Sequence, residues 1–306
     1  STPSSPIGLS LAVSRPLVRT FSRLSISIVR LVDVLWRIAD KVGATFFDQC
    51  GRIAASMAVL CATISLAARP RSWTPPVRSV FSRQMLFTAV DAIPSAFRFA
   101  AAVGVVLIVQ ATMWIDMVGV SSDVIAPLLW RSIVREIAPL LACLVVIGRS
   151  GIAISAELGT MRAGGEVEVL DAQGIDPMTF LIMPRVLAVM FSVFCLAVVI
   201  AVTMVVTGYA VGALMDAIRT TWTGFFSEIS QNFDIEDLVF FASKTLIAGG
   251  FAGVICCLEG IQVKGAMTDV PRATSRAGIR ALTAVFAVSA FLSILFYDKF
   301  LIFKFG

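Results

Sequence analysis

Five long apolar segments constrain this 306-residue chain more than any other feature. Each is long enough for the ~20 residues that a helix needs to cross a bilayer, and too long for a barrel strand of ~10 residues. Hydrophobic residues make up 58% of the chain and charged residues only 15%. The sequence therefore predicts an all-α integral membrane protein with five transmembrane helices per subunit. The predicted spans cover approximately residues 94–117, 124–154, 186–215, 238–258 and 277–297.

The region before the first predicted span is basic. Residues 1–98 contain 12 basic and 4 acidic residues, in a chain of formal net charge +5. In the arm formed by residues 1–49, these charges are interleaved with aliphatic side chains, as in amphipathic helices on anionic lipid. Nucleic-acid binding is the rival interpretation of such an arm, and the aliphatic residues favour lipid. Within residues 50–93 the apolar run is too short to span, so we predict interfacial helices at the cytoplasmic face.

The residues and motifs that the sequence lacks exclude several classes of function. The chain contains no histidine, which excludes Ser-His-Asp triads and histidine-liganded metal sites. It has no G-x-x-x-x-G-K-[ST] phosphate loop and cannot bind ATP by that route. The six cysteines lack C-x-x-C spacing and mostly occupy apolar runs, so we predict small buried hydrophobic residues. The sequence thus predicts a chain that is not an enzyme, with no catalytic residue, metal or cofactor of its own.

The charges of the connectors predict the orientation. Connector 119–123 has no basic residue, and connector 216–237 has one arginine against five acidic residues. The connectors that hold Arg162 and Arg185, and the one that holds Lys264, Arg272, Arg276 and Arg280, are basic. Basic loops stay in the cytoplasm. We therefore expect a cytoplasmic N-terminus and, after five spans, a periplasmic C-terminus.

Charged residues also lie inside the predicted spans, where each costs roughly 3 kcal/mol at the helix centre. In the second span, Arg131, Arg135 and Glu136 precede Pro139, and a proline in this position kinks a helix. Lys244 lies deep in the fourth span, although its stem could snorkel to the interface. We predict that Lys244 pairs with Glu136 beside a cavity. A structural ion pair that holds the kink is the alternative interpretation.

A polar segment at residues 161–177 separates the second and third predicted spans. Its acidic residues, followed by Gly174, Asp176 and Pro177, predict a short helix that ends at the glycine. This is ordinary helix-termination chemistry. Its place between two spans nevertheless suits a helix that an intracellular motor domain would bind.

Five linked motifs follow one another from the second predicted span to the start of the third. They are Arg135-Glu136-Ile137-Ala138-Pro139, Gly148-Arg149-Ser150-Gly151, Ala156-Glu157-Leu158-Gly159-Thr160-Met161, Gly174-Ile175-Asp176-Pro177 and Pro184-Arg185-Val186. Their order and spacing over roughly residues 130–190 resemble the MlaE/YrbE permease family of MCE/Mla-type ABC lipid transporters, and the span pattern agrees from about residue 50 onward. Many relatives have Leu-Gly at positions 137–138 and fewer glycines near 164–165, but neither departure removes a charge.

The resemblance implies a homodimeric permease that moves phospholipid or a related lipid between the bacterial inner membrane and the outer envelope. It implies two copies of an MlaF-like ABC ATPase, which bind the ATP and Mg²⁺, and a ring of MCE-domain proteins in the periplasm. Such a transporter serves outer-membrane lipid asymmetry. The implied fold has an N-terminal interfacial helix followed by five spans, in a permease domain over residues 94–306.

The resemblance also assigns candidate residues. Glu136 and Lys244 match family positions near a lipid cavity at the dimer interface, and we expect Gln110, Trp114 and Arg135 to line the same cavity. Residues of about 165–172 match the coupling helix that contacts the ATPase. The expected coupling residues are Arg162, Glu166, Glu168, Asp171, Gly174, Asp176 and Pro177.

Two other functions are also compatible with the sequence. An ion-coupled secondary carrier would use Glu136 and Lys244 as a titrating pair and would need no ATPase. A membrane scaffold without cargo would have no cavity and would bind no lipid. A membrane enzyme is the least favoured, because the sequence offers no nucleophile and base together.

Overall fold

The computed structural model describes residues 51, 53–118, 130–215, 227, 235–263 and 267–305, with side chains at all of these except 114–116, 118 and 297–305. The chain divides into two units, residues 1–55 and 56–306. The second unit contains nearly all of the described residues, and these are helical apart from short turns. The prediction for the arm, residues 1–49, lies outside the described residues.

Nine α-helices organise the described chain. A short apolar helix α1 and helix α2 precede the long helix α3. Helices α4 and α5 form the second apolar segment, the short helix α6 follows them, and α7, α8 and α9 are long. The bounds are α1 Ile53–Ala67, α2 Pro75–Met85, α3 Ile93–Val118, α4 Ala138–Val146, α5 Ile152–Ala163, α6 Glu166–Ala172, α7 Met183–Leu214, α8 Ile235–Ile261 and α9 Val270–Phe305.

Within the described residues, five continuous helical segments are long and apolar enough to cross a membrane, which confirms the predicted number of spans. The first begins earlier than residue 94, because α2 continues into α3 through a single turn of π-helix at Leu86–Val90. The interfacial position of residues 50–93 stays a prediction. The five segments are Pro75–Met113, Trp130–Ala163, Met178–Leu214, Ile235–Ile261 and Met267–Phe296.

Helices α7 and α8 form the centre of the bundle. Helix α7 packs against α2, α3, α4 and α8, and α8 in turn packs against α5 and α9. Both helices carry buried residues along their whole lengths. Because the buried faces of α7 and α8 pack against other helices, polar residues on those faces cannot reach lipid and must find partners inside the protein.

Glycines allow the central helices to approach closely. A Cβ atom at Gly249 would lie 2.9 Å from the Cβ of Val193, and one at Gly253 would lie 3.2 Å from the Cα of Val186, both on α7. The Gly249 and Gly253 pair therefore serves packing within the chain, the role that we favour for such G-x-x-x-G pairs over a dimer contact. At the other end of α8, a Cβ at Gly260 would lie 2.8 Å from the carbonyl oxygen of Ser155 on α5.

The cysteine prediction holds for the helix interiors. Cys143, Cys256 and Cys257 are buried free thiols, whereas Cys61 and Cys195 are exposed on helices that face outward. The buried three occupy contacts between helices in the manner of small hydrophobic residues.

Two connector assignments were wrong. Residues 235–237 do not belong to the connector 216–237, because α8 begins at Ile235, and Asp237 is buried in its first turn. Arg272, Arg276 and Arg280 do not lie in a loop but on α9, which begins at Val270. In both cases polar residues in the first turns of a helix resembled a connector, because the charge pattern alone does not mark where a helix starts.

We expect Gly260→Ala to destabilise the bundle, because the new methyl group would overlap the backbone of α5. Overpacking of this kind costs about 1–3 kcal/mol. Gly148→Ala is the matched control, since a Cβ there meets nothing within 4 Å. Thermal unfolding in detergent measures the difference, and equal melting temperatures for the two variants would contradict the proposed contact.

Candidate functional site

The candidate site begins with a polar cluster that joins three of the spans. The Nζ atom of Lys244 on α8 donates hydrogen bonds to Oε2 of Glu136 at 2.6 Å and to Oγ of Ser293 on α9 at 2.8 Å. The Ser293 hydroxyl lies 2.7 Å from Oε1 of Glu136, close enough to donate to it. The predicted pairing of Glu136 with Lys244 is confirmed. Ser293 is an additional partner.

The two charges of this pair differ in exposure. The Lys244 side chain is 1% exposed, so it does not snorkel, whereas the Glu136 side chain is 44% exposed. The Lys244 ammonium also lies 5.2 Å from the centre of the Phe240 ring, at cation–π distance. An ammonium this buried needs a counter-charge and further hydrogen bonds. The Glu136 carboxylate provides this counter-charge, and part of the Glu136 side chain remains exposed at the protein surface.

Local helix geometry positions Glu136. The residue lies in a single turn of π-helix, Ile133–Ile137, directly before α4, whose first turn contains Pro139. Pro139 has no N–H to donate to the carbonyl of Arg135, so the regular hydrogen-bond ladder is interrupted there. The sequence predicted a distortion of the helix at Pro139. In the structure this distortion is the turn of π-helix that directly precedes α4. Such turns are frequent at functional sites.

A second ion pair, between Arg135 and Asp237, also joins the second and fourth spans. Arg135 donates a hydrogen bond to Asp237 of α8, and Arg131 lies 3.7 Å from the same carboxylate. Asp237 is only 4% exposed. The Arg135 guanidinium also faces the Phe240 ring at 5.5 Å, so this ring contacts both Arg135 and Lys244. The carboxylates and cations thus form one continuous polar stripe.

Sequence reasoning missed Asp237 and Ser293. Asp237, Phe240 and Lys244 are three and four residues apart, so they share one face of a helix. That spacing could have identified Asp237 had the start of α8 been known. Ser293 gave no signal, because a serine inside an apolar span usually bonds its own helix, as Ser293 also does with the Ser289 carbonyl.

The remaining predicted cavity residues are not brought to this cluster by any observed contact. Gln110 is exposed on α3, a helix that packs mainly against α7. The side chain of Trp114 lies outside the described residues. Of the five predicted cavity residues, the structure brings together Arg135, Glu136 and Lys244. A place in a lipid cavity stays a prediction for all five.

The predicted acidic helix is present as α6. Gly165 before it and Gly174 after it both adopt positive φ angles, 78° and 74°, a conformation that favours glycine. Val167 is buried and holds the helix against the protein. Outside α6, the Asp176 carboxylate accepts hydrogen bonds from the N–H groups of Met178 and Thr179, at 3.1 and 3.2 Å, and so caps the next helix.

The predicted coupling residues present a charged surface around α6. Arg162 forms an ion pair with Glu168 at 2.7 Å, which ties the end of α5 to α6. The acidic side chains in this segment are all exposed. Coupling to an ATPase stays a prediction for Arg162, Glu166, Glu168, Asp171, Gly174, Asp176 and Pro177.

The Glu136 and Lys244 pair is expected to act as one energetic unit. Glu136→Leu should destabilise the protein, because it leaves the Lys244 ammonium buried without a counter-charge. Adding Lys244→Met should recover about 0.5–3 kcal/mol of that loss, the range for residues in contact. Thermal unfolding of the wild type, both single variants and the double variant measures this coupling. Purely additive effects would contradict it.

Comparisons with known proteins agree with this architecture. A family model described as Permease MlaE matches residues 81–295. A probable ABC transporter permease protein of Rickettsia felis is 26% identical over 264 residues, covering 86% of this chain and 99% of its own length. The intermembrane phospholipid transport system permease protein MlaE of Haemophilus influenzae is 25% identical over 235 residues, covering 73% and 86%. The family match spans all five membrane-crossing segments at least in part, and the chain therefore belongs to the MlaE family of ABC transporter permeases.

Proposed function

We propose that this permease carries phospholipid, or a closely related lipid, between the bacterial inner membrane and the outer envelope. The observation that carries the proposal is the pairing of a fully buried lysine, Lys244, with a partly exposed glutamate, Glu136. The name of the Haemophilus relative, an intermembrane phospholipid transport system permease, supports the choice of cargo. The chain itself is a permease subunit and not an enzyme.

The polar stripe suits an amphiphile. Glu136 and Arg131 are each more than two-fifths exposed, and both belong to ion pairs whose other members are almost fully buried. A lipid head group that approaches the exposed side meets both signs of charge, held in place by buried partners. Acyl chains would lie on the apolar helix surfaces around the stripe. A second copy of the chain across Glu136 would enclose this region, which is the homodimer that we propose.

Energy for transport would come from a separate subunit. The sequence has no phosphate loop, so ATP and Mg²⁺ would be bound by a partner ATPase, in two copies for a homodimer. Helix α6, with exposed acids on a backbone fixed by Val167, is the proposed ATPase contact. Closure of the ATPase would push on α6 and α5 and thereby move the second span, which contains Glu136 near its other end. Different lipid affinities of the two states would give direction to the transport.

The orientation follows from the same assignment. An ATPase on α6 requires that face to be cytoplasmic, in agreement with the basic residues near it. The N-terminus would then also lie in the cytoplasm and the C-terminus in the periplasm of a bacterial inner membrane. Asp237 and Lys244, at the opposite end of the bundle, would lie towards the periplasm, where a ring of MCE-domain proteins would receive or supply the lipid.

Charge reversal in Glu136→Lys is expected to abolish lipid transfer, because it places two ammonium groups together and removes the acceptor for Lys244. The assay is ATP-dependent transfer of labelled phospholipid by the complete complex in proteoliposomes. Glu236→Lys is the control, since Glu236 is exposed near the same end of α8. Normal transfer by Glu136→Lys, with the ATPase still bound, would refute the assignment.

The same assay separates the alternative functions. The buried pair is also what an ion-coupled secondary carrier would titrate. Such a carrier would show uptake that follows an ion gradient and continues without any ATPase. A scaffold without cargo would purify with no bound lipid and transfer none.

Replacing two acids of α6, Glu166→Lys with Asp171→Lys, is expected to weaken ATPase binding at least about tenfold, because both side chains are exposed at the proposed contact. Co-purification from membranes measures the loss. Glu236→Lys, at the opposite end of the bundle, is again the control. Unchanged ATPase recovery from the double variant would contradict the role of α6.

A further inference from the structure

A groove between α2 and α5 forms a second charged site, at the other end of the bundle from Lys244. It encloses a cavity of about 520 Å³. The residues that matter most for its chemistry are Arg83, Phe87, Glu157 and Arg185. We call it the α2–α5 groove. Glu136 and Glu157 are separated by 21 positions in the second span, which places the two sites roughly 30 Å apart along the helix axis.

Arg185 places a buried cation in the groove, and its Nε donor has no hydrogen-bond acceptor among the described residues. The residue is 5% exposed and lines the cavity. Its Nη2 atom bonds Oε1 of Glu157 at 2.8 Å and its Nη1 atom bonds the Leu181 carbonyl at 3.1 Å. A buried donor without a partner is costly, so an acceptor that reached the Nε atom from the groove would be bound favourably.

The lining of the groove also carries an excess of positive charge. It contains two guanidinium groups, Arg83 and Arg185, against one carboxylate, Glu157. The carboxylate is already engaged by Arg185. Arg83 is exposed and has no acidic partner within the described part of the chain. An anion would therefore meet one unmatched guanidinium and a second one with a free donor.

A neighbouring cavity of about 460 Å³ extends the groove along the same helix and shares Arg83 and Phe87 with it. Arg149 lies over the Phe87 ring at 5.5 Å. Its charge is matched, because Asp91 lies 3.7 Å away. Arg149 therefore packs on a residue that lines the groove, Phe87, and does not add to the excess charge.

An apolar track leads away from the charged groove. Leu86, Val90, Ile93 and Phe97 are between 41% and 60% exposed. They are spaced by four, three and four residues, so they follow one side of the first span. A charged groove that continues into an exposed apolar track is suited to an amphiphilic ligand, because a free anion would use only the charged part.

We propose that the α2–α5 groove binds the phosphate of an anionic phospholipid through Arg83 and Arg185, with an acyl chain along the track from Leu86 to Phe97. Arginine suits this ligand, because the guanidinium presents paired N–H groups to phosphate oxygens. The site is separate from the proposed transport cavity. It does not rest on the proposed function, because it requires neither ATP nor movement of lipid.

The test is a titration of the purified full chain with phosphatidylglycerol in a neutral detergent, with bound lipid counted by native mass spectrometry. Arg83→Gln is expected to weaken binding about fivefold, the usual contribution of one basic residue near anionic lipid. Arg83→Lys keeps the charge but loses the paired N–H groups, so it should lose less affinity than Arg83→Gln. Arg78→Gln is the matched control, because Arg78 is exposed on the same helix but does not line the groove.

Three results would overturn the inference. Equal losses for Arg78→Gln and Arg83→Gln would show that general surface charge binds the lipid, and no loss for Arg83→Gln would show that Arg83 does not contribute to binding. Displacement of phosphatidylglycerol by inorganic phosphate at equal concentration would show a site for free phosphate. In Glu136→Lys, the part of the binding that depends on Arg83 is expected to persist, which separates this site from failure of the proposed transport function.

Discussion

The requirement that every charge within the bundle has a partner governs this structure. Four of the ion pairs that connect different spans are Glu136 with Lys244, Arg135 with Asp237, Glu157 with Arg185 and Glu259 with Arg280. An unpaired charge would be costly in such an apolar environment. The second span takes part in three of the four pairs, with the third and fourth spans as its partners. The spans that these ion pairs join also pack against each other.

The polar residues concentrate at the two ends of the bundle. One end holds the stripe from Arg131 to Lys244, and the other holds the pairs of Arg185 and Arg280 together with α6. Between them, the second span is interrupted by turns of π-helix at Ile133–Ile137 and Ile147–Gly151. A helix with two such turns is not a uniform rod. It is the part of the fold that connects the α6 face to the Glu136 site.

Much of the fold and part of the site could be predicted from the sequence. Span length and hydropathy were sufficient for the five helices, because the bilayer thickness sets a length that few other structures need. The cost of a buried charge singled out Glu136 and Lys244 and predicted their contact. The same reasoning failed for Asp237, which follows several other acids and so looked like part of a solvated loop. Ser293 and Phe240 carry no charge and gave no signal.

The sequence by itself determined the membrane class, the number of spans, the short acidic helix and the absence of a phosphate loop, because each is a local property of consecutive residues. Only the tertiary structure decided which charges meet. Arg135 and Glu136 are neighbours in sequence, yet each pairs with a different residue of α8, seven positions apart. It also decided that Lys244 is buried and that Arg83 shares a groove with Arg185. These contacts join residues roughly 100 positions apart, and such pairings are set by how the helices pack together.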